Sequence, residues 1–231
     1  MKAVFLLLFV GASFSVRAHD VITTKVTWSR EVSRLVFKRC ASCHREGGSA
    51  FSLMTYQEAW PWAKAIKEEV LERRMPPWGA VKGFGDFQDD QGMTQEQLEL
   101  ISDWVEGGAP EGDPKLLPKA PDVSMKSTVP QPVGPESLVD GILTLKRSAV
   151  FSGIRARSLQ PGQSIKVVAE RPDGVVEPLL WIYDYKPKFD HPYFFRNPVE
   201  FPAGTRIVTS PSGAIALFSG PAVQPRAGGA R

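Results

Sequence analysis

The 231-residue chain predicts an α + β protein of two domains, a small all-α unit followed by an all-β sandwich of jelly-roll-like type. Three observations predict this. Apolar residues recur at helical spacing behind capping signals as far as about residue 113. A proline-rich run over 114–135 then breaks the pattern, with Pro114, Pro118, Pro121, Pro130, Pro132 and Pro135. Beyond it, short runs with apolar alternation are separated by Gly/Pro turns.

Taken in order, the chain opens with a basic Met1–Lys2, an apolar run Ala3–Val10 and a small-residue ending, Val16-Arg17-Ala18. That pattern predicts a secretory signal peptide over 1–18, too short to read as a spanning helix. No lipobox cysteine follows, so the expected location is periplasmic or secreted, with no membrane anchor after cleavage. The α unit is expected over 19–113, the linker over 114–135, the sandwich over 136–220 and a disordered, small and basic tail over 221–231.

In the α unit, a helix is expected from about Ser29 to Ala41, with Ser29 as cap and Val32, Leu35, Val36 and Cys40 on one face. Arg45–Leu53, containing Gly47-Gly48, reads as a loop. Thr55 and Glu58 form a capping box for a second helix, which Pro61 restarts and which runs to about Arg73. Met75-Pro76-Pro77-Trp78 then ends the helix in a stiff extended segment. Thr94 and Gln97 cap a third helix, with an apolar stripe of Leu98, Ile101, Trp104 and Val105, and Gly107 ends it. In the second half, strands are expected over 141–146, 164–170, 175–183, 205–210 and 214–219, with Pro172-Asp173-Gly174 as a turn.

The formal charge of +3 is unevenly spread. Residues 19–114 carry 11 Lys/Arg and 16 Asp/Glu, whereas 115–231 carry 15 and 9. Opposite signs point to different partners or to mutual attraction. The basic residues of the second half are scattered, which argues against a nucleic-acid partner.

The chemistry sits in Cys40-Ala41-Ser42-Cys43-His44, which holds both cysteines of the chain. Cys-x-x-Cys-His is the attachment signature of c-type haem. Each thiol adds to a vinyl group of the macrocycle, and the adjacent imidazole becomes an axial ligand of the iron. A thioredoxin-like redox pair would open a helix after a strand, and this pair closes a helix instead. A zinc site would need a second ligand pair, which the sequence lacks. Met75 is the expected distal ligand, because the prolines behind it remove slack from its tether. Met54 and Met93 are rivals in less constrained contexts.

The first half resembles a bacterial family of class I-like cytochrome c domains. The resemblance spans about Thr27 to Pro114. It rests on Arg39-Cys40-Ala41-Ser42-Cys43-His44, Ala50-Phe51-Ser52-Leu53, Thr55-Tyr56, Arg74-Met75-Pro76-Pro77-Trp78 and the stretch Trp104–Pro114. It implies one covalent haem c with His44 and Met75 holding the iron, and Phe51, Trp78 and Trp104 packing the haem pocket. Met/His ligation fills both axial positions, which implies electron carriage with a redox partner protein rather than catalysis. A peroxidase or a ligand sensor would require Met75 to be labile.

The second half resembles, more distantly, the second sandwich of copper type II, ascorbate-dependent monooxygenases of the peptidylglycine-hydroxylating class. The carrying residues are Pro172-Asp173-Gly174, Leu179–Tyr185 and Phe201–Ile207. That family binds copper through a His-x-His strand and a later methionine. Here Phe151 and Gly153 fall where those histidines would stand, and no methionine follows Met125. The resemblance therefore implies the fold and not copper, with an accessory role beside a copper monooxygenase-like system as an alternative. His191 reads as a loop histidine. The aromatic cluster of Trp181, Tyr183, Tyr185, Phe189 and Tyr193–Phe195 reads as core and edge packing rather than a ligand-binding face. The sequence leaves the oligomeric state open.

Overall fold

A computed structural model describes residues 25–122, 131–220 and 222–223. The expected signal peptide and most of the expected tail lie outside the described residues, as does 123–130 of the linker. The described chain has a few short helices, then two four-stranded antiparallel sheets facing each other. Among the described residues no helix is long and apolar enough to cross a membrane.

The first helical segment starts as a π turn, Trp28–Val32, and continues as α1, Ser33–Arg39. Its cap is Thr27 rather than Ser29. Thr27 is extended, and its hydroxyl accepts from the Arg30 amide while the Glu31 carboxylate accepts from the Thr27 amide. The wide first turn lets Glu31 reach back, and Ser29 is buried instead. The two capping boxes form as expected. Thr55/Glu58 opens α2, Tyr56–Ala59, and Thr94/Gln97 opens α4, Gln95–Glu106. Between them Pro61 sits in a 3-10 turn that leads into α3, Ala63–Leu71. The helices enclose a core of Trp28, Val32, Val36, Leu53, Ile101 and Trp104, among others.

The strands are β1 Gln131–Pro132, β2 Glu136–Asp140, β3 Ile142–Thr144, β4 Ala149–Ser158, β5 Ile165–Glu170, β6 Val176–Ile182, β7 Tyr193–Phe201, β8 Arg206–Ser210, β9 Ala214–Phe218 and β10 Ala222–Val223. One sheet has the order β2-β9-β4-β7, the other β3-β8-β5-β6, and β1 pairs with β10. Two residues expected in the disordered tail are thus paired to two expected in the linker. β5 and β8 bury alternate residues, Ile165, Val167, Ala169 and Ile207, Thr209, as a sheet with one core face requires. β4 and β7 were not expected as strands. β4 carries a small Gly153 because the Phe218 ring lies over it, so that a Cβ there would be 2.4 Å from that ring. β7 contains Pro198, which is tolerated because β7 is an edge strand.

The two halves are joined by more than the linker. The segment following Met75, residues 78–88, leaves the helical unit and lies across the sandwich edge as a strap. Ala80 bridges Ile182 on β6, and Phe87 bridges Phe195 on β7. β6 and β7 are edge strands of opposite sheets, so one strap covers the open edge of each. Ala80 and Phe87, from the helical half, belong to the sandwich core with Ile182, Tyr193 and Phe195. The opposite charges of the halves also meet here. Asp86 pairs with Arg196 at 3.0 Å.

Candidate haem attachment site

α1 ends into a further turn. The Cys43 amide donates to the Cys40 carbonyl at 3.1 Å, and the His44 amide donates to the same oxygen at 2.8 Å. Spacings of three and four on a helical turn put Cys40, Cys43 and His44 along one stripe. Both thiols are free. The chain then doubles back. The Gly48 amide reaches the Arg45 carbonyl at 2.9 Å, the Ala50 amide reaches Cys43 at 3.2 Å and the Leu53 amide reaches His44 at 3.2 Å. The return is so tight that a Cβ on Gly48 would stand 2.2 Å from the Cys43 carbonyl oxygen. Glycine is therefore required there.

The doubled-back loop orients the imidazole. His44 Nδ1 lies 2.9 Å from the Phe51 carbonyl oxygen. That oxygen only accepts, so Nδ1 carries the proton and donates, which leaves the Nε2 lone pair free. Metal-bound histidines hold their tautomer in this way. The Phe51 ring meets the His44 ring edge-on at 5.0 Å and lies tilted against Trp62 at 4.8 Å. Phe51 is 51% exposed.

Met75 lies at the unwound end of α3, where its amide still reaches the Glu69 carbonyl at 3.1 Å. Cys40 and Met75 pack against the same helical core, and so does Met93. Met75 and Met93 also line a cavity of about 40 Å³ with Val70, Leu98, Trp78 and Tyr193. A space of that size suits water-sized groups and marks the seam between the strap and the sandwich.

The residues suit a covalent haem in their donor chemistry. Two free thiols and an imidazole with its Nε2 unengaged lie on one turn, and a thioether borders the same apolar core. Cys40, Cys43 and His44 would hold the group, with Phe51 beside the imidazole. The three expected pocket aromatics are placed differently from one another. Phe51 touches His44. Trp78 turns to the sandwich side, against His191 at 4.8 Å and Tyr193 at 5.0 Å, while lining the Met75 cavity. Trp104 is fully buried in the helical core, 6.0 Å from Trp28, and its indole N–H donates to the Pro110 carbonyl.

Burial and the Cys43 thiol beside it push the Cys40 thiol up to about 12, against the pull of Arg39. Burial lowers His191 below its ordinary value, opposed by the Pro192 carbonyl and Asp190. Burial raises the Tyr193 phenol, followed by the charge of Asp190.

Sequence reasoning missed Trp28, which packs on Trp104 and Tyr56, and the strap residues Ala80 and Phe87. Their signal was faint, being apolar residues in a segment rich in glycine, Gly79, Gly83 and Gly85. His191, Trp78 and Tyr193 form one ring cluster, so the loop histidine is part of the strap contact. Among the described residues no group of three or more His, Cys, Asp or Glu is placed to hold a metal ion. Compared with known protein families, with curated proteins and with solved structures, the chain matches none.

Proposed function

We propose that the chain is a periplasmic or secreted c-type cytochrome that carries electrons for a redox partner protein through one covalent haem. The observation that carries the reading is the His44 Nδ1 contact with the Phe51 carbonyl inside a Cys-x-x-Cys-His turn. It presents Nε2 as a ligand next to two thiols able to form thioethers. In this reading the helical half is a small class I-like cytochrome c unit, and the β half is a jelly-roll-like sandwich without copper.

When bound, the haem supplies a one-electron couple whose potential depends on its axial ligands. The protein's own residues do the rest. Cys40 and Cys43 would tether the group, the Phe51 carbonyl orients His44 as its ligand, and Met75, packed against the same apolar core as Cys40, would supply a second ligand. An iron held by both His44 and Met75 would have no position open to a substrate, which supports electron carriage over peroxide chemistry.

The test is expression with the haem-attachment machinery, followed by acid–acetone extraction. Haem is expected to stay on the chain, to be lost in Cys40→Ala/Cys43→Ala, and to bind exogenous imidazole more readily in Met75→Ala than in Met93→Ala. Extractable haem in the unaltered protein, or equal imidazole binding by the unaltered and Met75→Ala proteins, would overturn the reading.

A further inference from the structure

We infer that the β sandwich is the device that holds Met75 in place, acting through the 78–88 strap, so that the second half sets how firmly the distal position is occupied. This rests on the haem reading above.

Met75 is separated from α4 by residues 76–94, which form no helix or sheet strand of their own. A connection of that length without secondary structure is uncommon in a compact fold. Left free, it would be a loose tether for a thioether. The strap finds its backbone partners on the sandwich instead. The Val81 amide donates to the Trp181 carbonyl at 2.7 Å and the Gln88 amide to the Phe194 carbonyl at 2.8 Å, while the Arg196 amide donates to the Asp86 carbonyl at 2.9 Å. The Gln88 side chain adds a bond to the Phe195 carbonyl. The two bridges stand on different sheets, so both ends of the strap are fixed.

The clamp reaches close to the thioether. Trp78, three residues from Met75, is held by His191, Tyr193 and Phe87. Gly79 passes so near the Tyr193 hydroxyl that a Cβ would stand 2.9 Å from its oxygen. Phe87 is the peg, 2% exposed and stacked on Phe195 at 5.8 Å with 15° between the rings. At its far end the strap returns to the attachment helix. Lys82 pairs with Asp90 at 2.7 Å, and Arg39, next to Cys40, donates to the Asp90 carbonyl at 2.7 Å. Order in the strap is thus supplied by the sandwich, and it lowers the entropy that a Met75–iron bond must overcome.

The experiment uses the full haem-loaded protein and measures imidazole binding to the ferric form, which competes with Met75. Amide exchange at Val81 and Gln88 is read alongside. Phe87→Ala removes the peg, and Gly79→Val forces the strap off Tyr193 without removing any side chain from the sandwich core. Phe201→Ala is the control, a fully buried loss at the other end of β7. Phe87→Ala and Gly79→Val are expected to free the two amides and to tighten imidazole binding by about tenfold, while Phe201→Ala changes it by less than about twofold. Unchanged imidazole binding in both strap variants, or an equal gain in Phe201→Ala, overturns the inference. Met75→Ala separates the two claims. If it does not raise imidazole affinity, the ligand assignment fails. If it does and the strap variants do not, only the role of the sandwich fails.

Discussion

Phe87→Ala also tests whether the halves unfold as one. Phe87 comes from the helical half but is 2% exposed inside the sandwich core. Its ring meets Trp78, Tyr193 and Phe195 at 6.2, 5.4 and 5.8 Å. Truncating a buried phenylalanine costs about 3–5 kcal/mol, through lost transfer energy and the cavity left behind. The aromatic contacts, worth about 0.5–1.5 kcal/mol each beyond area, place this site in the upper part of that range. With a urea slope of about 2 kcal/mol/M, the midpoint should fall by about 2 M. The assay is urea unfolding followed by helical circular dichroism and by exchange of β4 amides. If the strap welds the halves, both probes report one transition, and both move by the same amount. A helical transition separate from the sheet transition and unmoved by the variant would refute the reasoning.

Three further outcomes are expected. Gly48→Ala puts a Cβ against the Cys43 carbonyl oxygen and loosens the Phe51 carbonyl from His44; in the haem-loaded protein proposed above it should raise by about one unit the pH at which acid displaces His44 from iron, the tenfold loss typical of such supporting bonds, and an unmoved acid midpoint in visible spectroscopy would count against that bond. His191 is held below its ordinary value by burial, so on acidification the unfolded chain takes its proton first. Stability from this residue is complete above the ordinary value of 6.5 and declines as pH drops below it, by at most about 1.4 kcal/mol per pH unit. Denaturation midpoints between neutral pH and pH 5 should therefore fall more steeply in the unaltered protein than in His191→Phe, and parallel profiles would contradict the assignment. In haem-free protein, the raised Cys40 thiol should be alkylated at pH 8 roughly fiftyfold more slowly than an exposed cysteine, after allowing for the greater intrinsic reactivity of a more basic thiolate; mass-spectrometric labelling at the exposed rate would rule out its burial.

What was legible in the sequence is local. The capping boxes at Thr55/Glu58 and Thr94/Gln97 are satisfied within three residues, so their side chains and the backbone they cap are written together. The Cys40–His44 spacing fits one helical turn, and the alternation in β5 and β8 follows from a single buried face. Even the helix start at Thr27 was only two residues from the expected Ser29, decided by where Glu31 reaches. β4 and β7 escaped because their residues answer to other strands. Gly153 is small on account of Phe218, and Pro198 is tolerated on an edge strand beyond the strap's bonds, which reach Phe194–Arg196.

The sequence by itself therefore determined the turn that holds the two thiols and the imidazole, because their placement needs only neighbours along the chain. The tertiary structure alone decided what becomes of the segment after Met75. No local pattern could reveal that Phe87 fills a core whose partner, Phe195, lies more than a hundred residues away, since its burial exists only once both sheets have formed and left an edge for it to close.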